Sequence, residues 1–262
     1  MITTSIAPDL FALSDAIPIP GDMQLPVNAY VVRGAEPLLV DTGLGTAEEP
    51  FMAALREIID PADLRWIVVT HDDRDHTGSL FTLLDEAPSA RVVTSFVSFA
   101  KIGEDRPLPL DRLRLMRAGD RLDIGDDALE AFRPPLFDSP GTLAFHAVRR
   151  GVCFASDCFG AFLPGAVDLS TDGDGLPPAD YAQGVGVFAS ANSPWMHDVA
   201  PQRWSAALAD FRHRAVDTLL STHGLPLRHR LPGLLDAAER MPGAEAFMPP
   251  GQEFVDAMLA LH

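Results

Sequence analysis

"VVTHDDRDHTGS", Val68 to Ser79, decides how this chain is read. His71, Asp72, Asp73, Asp75 and His76 crowd into six residues, directly after an apolar run. Such a cluster is costly in a fold, because the carboxylates repel one another and a buried histidine needs a partner. A pair of divalent ions reverses that logic by supplying about four positive charges. Carboxylates then become favourable and histidines stay neutral as ligands. The alternation His71, Asp73, Asp75, with His76 adjacent, lets one short loop aim ligands in two directions. One loop cannot complete two coordination spheres, so the remaining ligands must come from distant parts of the chain.

Working outward, "PLLVDTG" (Pro37 to Gly43) reads as a buried strand ending in a turn at Asp41. "RWIVVT" (Arg65 to Thr70) is a second buried strand, ending at the cluster. Between them "TAEEPFMAALREIID" carries helical spacing, with Thr46 as a cap and acidic residues in the first turn. "GSLFTLLDEA" reads as a short helix and "ARVVTS" as another strand, so the first hundred residues are expected to alternate strand and helix. The middle, "LRLMRAGDRLDIGDDALEAFRPP", reads as short strands with Gly-Asp turns. "TLAFHAVRRGVCFASD" reads as a hairpin with Arg149, Arg150 and Gly151 at its tip. Residues Pro164 to Pro178 form a long loop, Ala179 to Ala191 and Pro201 to Ala215 look helical, and "VDTLLSTHG" is again a strand entering a turn. The tail from Leu231 is helical, broken by Pro and Gly. The pattern predicts one α/β domain of two sheets faced by helices, spanning residues 1–262. Asp41, the 71–76 cluster, Asp138, Asp157 and His223 all follow apolar runs, and strand-end loops are where open sheets gather functional groups.

The chain has 262 residues, 47% of them hydrophobic, and a net charge of −17. That is ample material for a core. The acidic balance argues against nucleic acid or an anionic membrane surface as partner, since both need a basic face. No apolar run reaches the roughly 18–20 residues of a membrane span, and "MITTSIAPDLFAL" lacks the features of a signal peptide, so a cytoplasmic location is expected. The two cysteines, Cys153 and Cys158, stand at an odd offset that points them to opposite faces of a strand. They are expected to be buried free thiols, with Cys158 turned away from Asp157.

The motifs together resemble the metallo-β-lactamase superfamily. "THDDRDHTGS" is similar to its HxHxDH or HxExDH signature and "LLVDTGLG" to its first-strand aspartate motif. "FDSPGT" (Phe137 to Thr142) resembles the HTPG segment, "FASDCFG" the strand with the bridging aspartate, and "LLSTHG" the last histidine motif. "NAYVV" (Asn28 to Val32) suits the opening hairpin, and the motifs run in family order over residues 28–224. The resemblance implies an αββα sandwich with a two-metal site at one edge. His71, Asp73 and Asp138 would hold one metal, and Asp75, His76 and His223 the other. Asp157 would bridge them, with Asp75 and Asp157 as the catalytic carboxylates. Two ions in such a site should lie about 3.5–4 Å apart.

The chain departs from the hydrolytic members. Asp73 replaces the second histidine of HxHxDH, and Asp138 replaces the HTPG histidine. Three histidines and four aspartates make a harder donor set, which favours iron or manganese relative to zinc. A carboxylate at position 73 resembles the flavodiiron branch, which uses glutamate there, binds two irons and handles dioxygen or nitric oxide. This reading implies a stand-alone diiron core taking a gas or small-molecule ligand, with electrons from a separate donor protein. The alternative is a two-zinc hydrolase acting on an ester, lactone, thioester or phosphoester through a metal-activated hydroxide.

Other residues admit plainer readings. Asp41 fits a supporting group behind a ligand or a simple turn former. Asp138 could cap the "SPGT" turn instead of binding metal. His197, in a loop with Trp195 and Met196, could roof the site or sit on the surface. His146, His213, His229 and His262 have no matching context.

Overall fold

The computed structural model describes residues 1–259; residues 260–262, which include His262 and the end of the expected helical tail, lie outside the described residues. The chain opens with three antiparallel strands, β1 (Ile2–Ala7), β2 (Leu10–Ile19) and β3 (Met23–Val32). Here the expected strand–helix alternation is corrected. It begins only with β4 (Leu38–Val40), followed by α1 (Glu48–Ile58), β5 (Trp66–Val68), the single turn α2 (Arg74–Thr77) and α3 (Leu80–Glu86). Then come β6 (Arg91–Thr94), α4 (Phe96–Asp105) and β7 (Leu113–Leu115). The second half holds β8 (Arg121–Asp123), β9 (Ala128–Phe132), β10 (Ala144–Ala147), β11 (Val152–Phe154) and β12 (Leu163–Pro164). It closes with α5 (Pro178–Asn192), α6 (Pro201–Arg212), β13 (Thr218–Leu220), α7 (Leu231–Ala238) and α8 (Gln252–Leu259).

The strands form two sheets. One runs β1-β2-β3-β4-β5-β6-β7, with β12 also paired to β3; the other runs β13-β11-β10-β9-β8. Residue alternation explains why each sheet is covered on both faces. Tyr30, Val32, Leu38, Val40 and Val68 of the first sheet meet Leu129, Ala131, Phe145, Val152, Phe154 and Leu220 of the second. Their neighbours Ala29, Val31, Leu39, Ile67 and Val69 point the other way, onto Phe51 and Leu55 of α1 and Leu80 and Leu83 of α3. On the far side of the second sheet, Phe132, Ala144, Cys153 and Leu219 pack on Val185 of α5, Leu208 and Phe211 of α6, and Leu234 of α7. The result is the expected αββα sandwich, in which strands buried on both faces read as continuous apolar runs. Each fully buried side chain of this kind contributes roughly 1.5–3 kcal/mol. No helix among the described residues is long and apolar enough to cross a membrane.

Two local expectations change. Thr46 does not cap α1; Ala47 occupies the cap position without a side-chain hydrogen bond, and Glu48 and Glu49 face the positive end of the helix dipole. Cys158 lies beyond the end of β11, so strand alternation does not govern it. It is buried in the same apolar cluster as Cys153, and both thiols are free.

The strands deliver the polar loops to one edge. Asp41 N–H donates to Val68 O at 2.8 Å, Leu143 N–H to Thr70 O at 2.9 Å, and Ala155 N–H to Leu220 O at 2.8 Å. Asn28 N–H donates to Thr222 O at 2.8 Å. These bonds stitch the ends of β4, β5, β11 and β13 into one rigid rim across both sheets. Gly78, just after the histidine cluster, packs against the backbone of Gly43 to Gly45, where a β-carbon would collide. Among the described residues, five other than glycine have a left-handed backbone, and three of them, Asp41, Ser156 and Phe159, stand on this rim. Such conformations cost about 1–3 kcal/mol and persist where the surroundings enforce them.

Candidate metal centre

Three groups of side chains place ligand atoms within 4.8 Å of one another: His71, Asp73 and Asp138; Asp75, His76 and His223; and His71, His76 and Asp157. His71 and His76 lie in both an outer group and the central one, so the three merge into a single double site. His71 Nε2 stands 3.6 Å from Asp73 Oδ2, 3.7 Å from Asp138 Oδ1 and 3.8 Å from Asp157 Oδ2. His223 Nε2 stands 3.3 Å from Asp75 Oδ2 and 3.3 Å from Asp157 Oδ1. Asp157 thus presents one oxygen to each half. All seven residues singled out by sequence converge on this volume.

Local structure explains the aim of each group. His71 leaves the end of β5, α2 turns the chain once, and His76 returns to face the same point. The rings of His71 and His76 lie 3.9 Å apart. Asp138 occupies the turn between β9 and β10. The capping role considered for it falls to its neighbour, since Ser139 Oγ accepts from Gly141 N–H at 3.2 Å. Trp195 holds that turn from outside: its Nε1–H donates to Phe137 O at 2.7 Å, and its ring stacks 4.7 Å from Phe137. Gly160 leaves room for Phe188 and His223, because a β-carbon there would approach Phe188 Cε1 to 2.6 Å.

The inner nitrogen of each histidine is anchored. His76 Nδ1–H donates to Asp41 Oδ2 at 2.8 Å, His223 Nδ1–H to Pro26 O at 2.7 Å, and His71 Nδ1–H to Ser156 Oγ at 3.1 Å. A carbonyl or carboxylate only accepts, so Nε2 of His76 and His223 is left to face the centre. Asp41 is therefore a supporting group rather than a turn former; Thr70 N–H and Oγ1–H also donate to it, at 2.8 and 2.9 Å.

The centre leaves polar atoms without hydrogen bonds. His71 Nε2, His76 Nε2 and Asp157 Oδ1 are buried and unpartnered. His76 Nε2 and Asp157 Oδ1 lie 2.9 Å apart, a close charge contact. Unpaired buried polar atoms cost about 1–3 kcal/mol each. Three of them facing one point are what a metal pair requires.

Electrostatics without ions show the same tension. Burial pushes the His76 imidazole down, but Asp41 and Asp157 outweigh it and hold the group well above its usual value. His223 is likewise pushed down by burial and raised on balance by Asp157 and Asp75. Burial works to raise Asp157, yet His223, His71 and His76 bring it well below the usual carboxylate range. Asp138 moves the other way, raised by burial and by Asp157.

Several supporting residues went unread in sequence. Asn192, at the end of α5, donates from Nδ2 to Asp157 Oδ2 at 3.1 Å. Asp72, inside the cluster, turns away from the centre. It pairs with Lys101 at 2.8 Å and accepts from Ser98 and Ser139, both at 3.1 Å, tying the loop to α4 and to the Asp138 turn. His197 neither roofs the site nor lies free on the surface. It is half-buried, donating from Nδ1 to Pro242 O at 3.2 Å and accepting at Nε2 from Ser190 at 2.8 Å. His146 is buried on β10, while His213 and His229 are exposed, all away from the centre.

Known proteins share this architecture. Rubredoxin oxygen:oxidoreductase from Desulfovibrio gigas superposes with a TM-score of 0.78 at 16% identity, over 92% of this chain and 62% of that one. A fragment of the putative diflavin flavoprotein A 5 from Nostoc superposes at 0.74 with 19% identity, over 92% of this chain and 96% of that one. In sequence, the anaerobic nitric oxide reductase flavorubredoxin of Salmonella typhi is 28% identical over 134 residues, which is 51% of this chain and 28% of that protein. The putative diflavin flavoprotein A 2 of Nostoc is 29% identical over 134 residues, 51% of this chain and 23% of that protein. The chain thus matches less than a third of the length of either curated relative. The sequence profile of the metallo-beta-lactamase superfamily matches residues 23–223, covering every side chain of the double site, and to that superfamily the chain belongs.

Proposed function

We propose that the protein holds two iron ions and binds or reduces dioxygen or nitric oxide with electrons from an outside donor protein. The observation that carries the reading is the pair of carboxylates beside His71, Asp73 at 3.6 Å and Asp138 at 3.7 Å, where hydrolytic relatives resemble one another in using histidine. Hard anionic donors favour iron or manganese over zinc. His71, Asp73 and Asp138 would hold one ion, Asp75, His76 and His223 the other, with Asp157 shared. The unpartnered Nε2 atoms of His71 and His76 and Oδ1 of Asp157 fit that assignment. Similar proteins are named for oxygen and nitric oxide reduction, which accords with the reading.

Bound there, two irons would supply one-electron redox chemistry. The chain's own residues do the rest. Asp41 and Pro26 hold His76 and His223 in the tautomer that directs Nε2 inward. Asn192 holds Asp157 Oδ2. The Asp75 side chain is 21% exposed, so the half formed with His223 meets solvent on that side. Phe188, 5.2 Å from the His223 ring, and Phe162, 5.5 Å from Phe188, form an apolar wall that limits water. The two unpaired cysteines accord with a reducing compartment, and we place the protein in the cytoplasm.

The test is gas consumption by reduced, iron-loaded protein at oxygen and nitric oxide electrodes, with a chemical reductant in place of the donor. Catalytic uptake of either gas is expected. Absence of uptake, with ester or lactone hydrolysis by the zinc-loaded form, would replace this reading with a two-zinc hydrolase.

A further inference from the structure

We infer that Ser156 and Thr70 form a hydroxyl relay that makes one carboxylate, Asp41, the positioning group for a histidine in each half of the double site. The inference rests on the two-metal reading above. His76 reaches Asp41 directly, at 2.8 Å. His71 does not touch Asp41. Its Nδ1 lies 3.1 Å from Ser156 Oγ, Ser156 Oγ lies 3.0 Å from Thr70 Oγ1, and Thr70 Oγ1 lies 2.9 Å from Asp41 Oδ2.

The direction of the relay follows from its end. Ionised Asp41 only accepts, so Thr70 must donate to it. Thr70 then has its oxygen free to accept from Ser156, and Ser156 accepts in turn from His71 Nδ1–H. Within the relay each hydroxyl donates once and accepts once; Thr70 Oγ1 also lies 3.2 Å from His76 Nδ1, whose nearer partner is Asp41 at 2.8 Å. Asp41, Thr70 and Ser156 are all 1% exposed, so no solvent competes for these bonds. The outcome is that His71 carries its proton on Nδ1 and directs the unpartnered Nε2 at the centre.

The backbone supports a specific role for the Ser156 hydroxyl. Ser156 has φ 56°, a left-handed conformation that glycine adopts more easily than serine. This turn places Oγ between His71 and Thr70 while the next residue, Asp157, enters the centre. His223 is outside the relay, since its Nδ1 is held by Pro26 O. The relay therefore bears on the half formed by His71, Asp73 and Asp138 and leaves the half formed with His223 as an internal control.

Ser156→Gly removes the hydroxyl and relieves the backbone, so folding is not at risk. The metal-free full chain is titrated with zinc(II) alone, by calorimetry against a competing chelator. Wild type is expected to bind two ions. In Ser156→Gly one site weakens about ten- to a hundredfold and the other stays within about twofold. His223→Ala identifies the retained site, because adding it to Ser156→Gly weakens that site too. Thr70→Ser keeps the relay and the wild-type affinities, whereas Thr70→Val, similar in shape, loses the same site as Ser156→Gly. Two unchanged affinities in Ser156→Gly, or equal weakening of both, overturns the relay. Wild type binding fewer than two ions instead overturns the two-metal reading on which it rests.

Discussion

Asn192 Nδ2 lies 3.1 Å from Asp157 Oδ2, so the last turn of a helix on the outer face of one sheet holds the carboxylate shared by both halves of the centre. The contact joins residues 35 apart in sequence. Asn192→Asp places a second negative charge against Asp157. Without metal that repulsion is uncompensated. With metal it is offset by the ions. The melting temperature of the metal-free variant should drop further below wild type than that of the loaded variant. Equal drops would show that Asn192 is a surface contact without bearing on the centre.

Gly78→Ala tests the packing under the histidine loop. The added methyl would meet the backbone from Gly43 to Gly45, which cannot swing aside as a side chain can. Overpacking of this kind costs about 1–3 kcal/mol. Because Gly78 N–H donates to Gly43 O at 3.0 Å just after His76, the displacement should also weaken metal binding. Urea unfolding and zinc titration report the two effects; unchanged values in both would mean that the loop yields freely.

The metal-free centre should have its own pH dependence. Burial lowers the His76 and His223 imidazoles, but Asp157 with Asp41 or Asp75 raises both above the free value of 6.5. A group raised on folding contributes stability that is fully present below its unfolded value and is lost as pH rises through the folded one. Metal-free protein should therefore melt lower as pH climbs above 6.5. Metal affinity should rise over the same range, because fewer protons compete for the ligands. The gap between loaded and metal-free melting temperatures should widen with pH. A gap that narrows would contradict the account.

Asp73→His combined with Asp138→His changes the donor set without changing the fold's rim. It removes two anionic oxygens from beside His71. Preference should shift from iron towards zinc, and any oxygen- or nitric-oxide-linked turnover should fall. Elemental analysis after loading checks the first. An unshifted metal ratio would show that these two carboxylates do not decide the choice.

Much of the centre was legible because residue type and position coincided. His71, His76, Asp157 and His223 each follow an apolar run, and a ligand after a buried strand is a local pattern. Asp138 also follows an apolar stretch in sequence, but the strand before it ends at Phe132, so its place as a ligand rested mainly on the resemblance of "FDSPGT". Asn192 carries no local signal. Its role arises from how α5 packs on the second sheet, through Val185 and Ala189. Ser156 stood next to a motif aspartate, but its direction depends on a left-handed turn that sequence does not reveal. The first two strands were missed because β2 mixes buried and half-exposed positions and carries Pro18. Helix α4 was missed although it carries local signals, an amphipathic spacing and a cap at Ser95, which accepts from Ser98 N–H at 3.1 Å.

The central claim is that two irons occupy the double site. Wild-type protein, stripped and reloaded anaerobically in an equal mixture of iron(II) and zinc(II), is analysed for metal content and visible absorption after exposure to air. Two metals per chain are expected, mostly iron, with the absorption of an oxo-bridged pair. Two zincs in a colourless protein would contradict it.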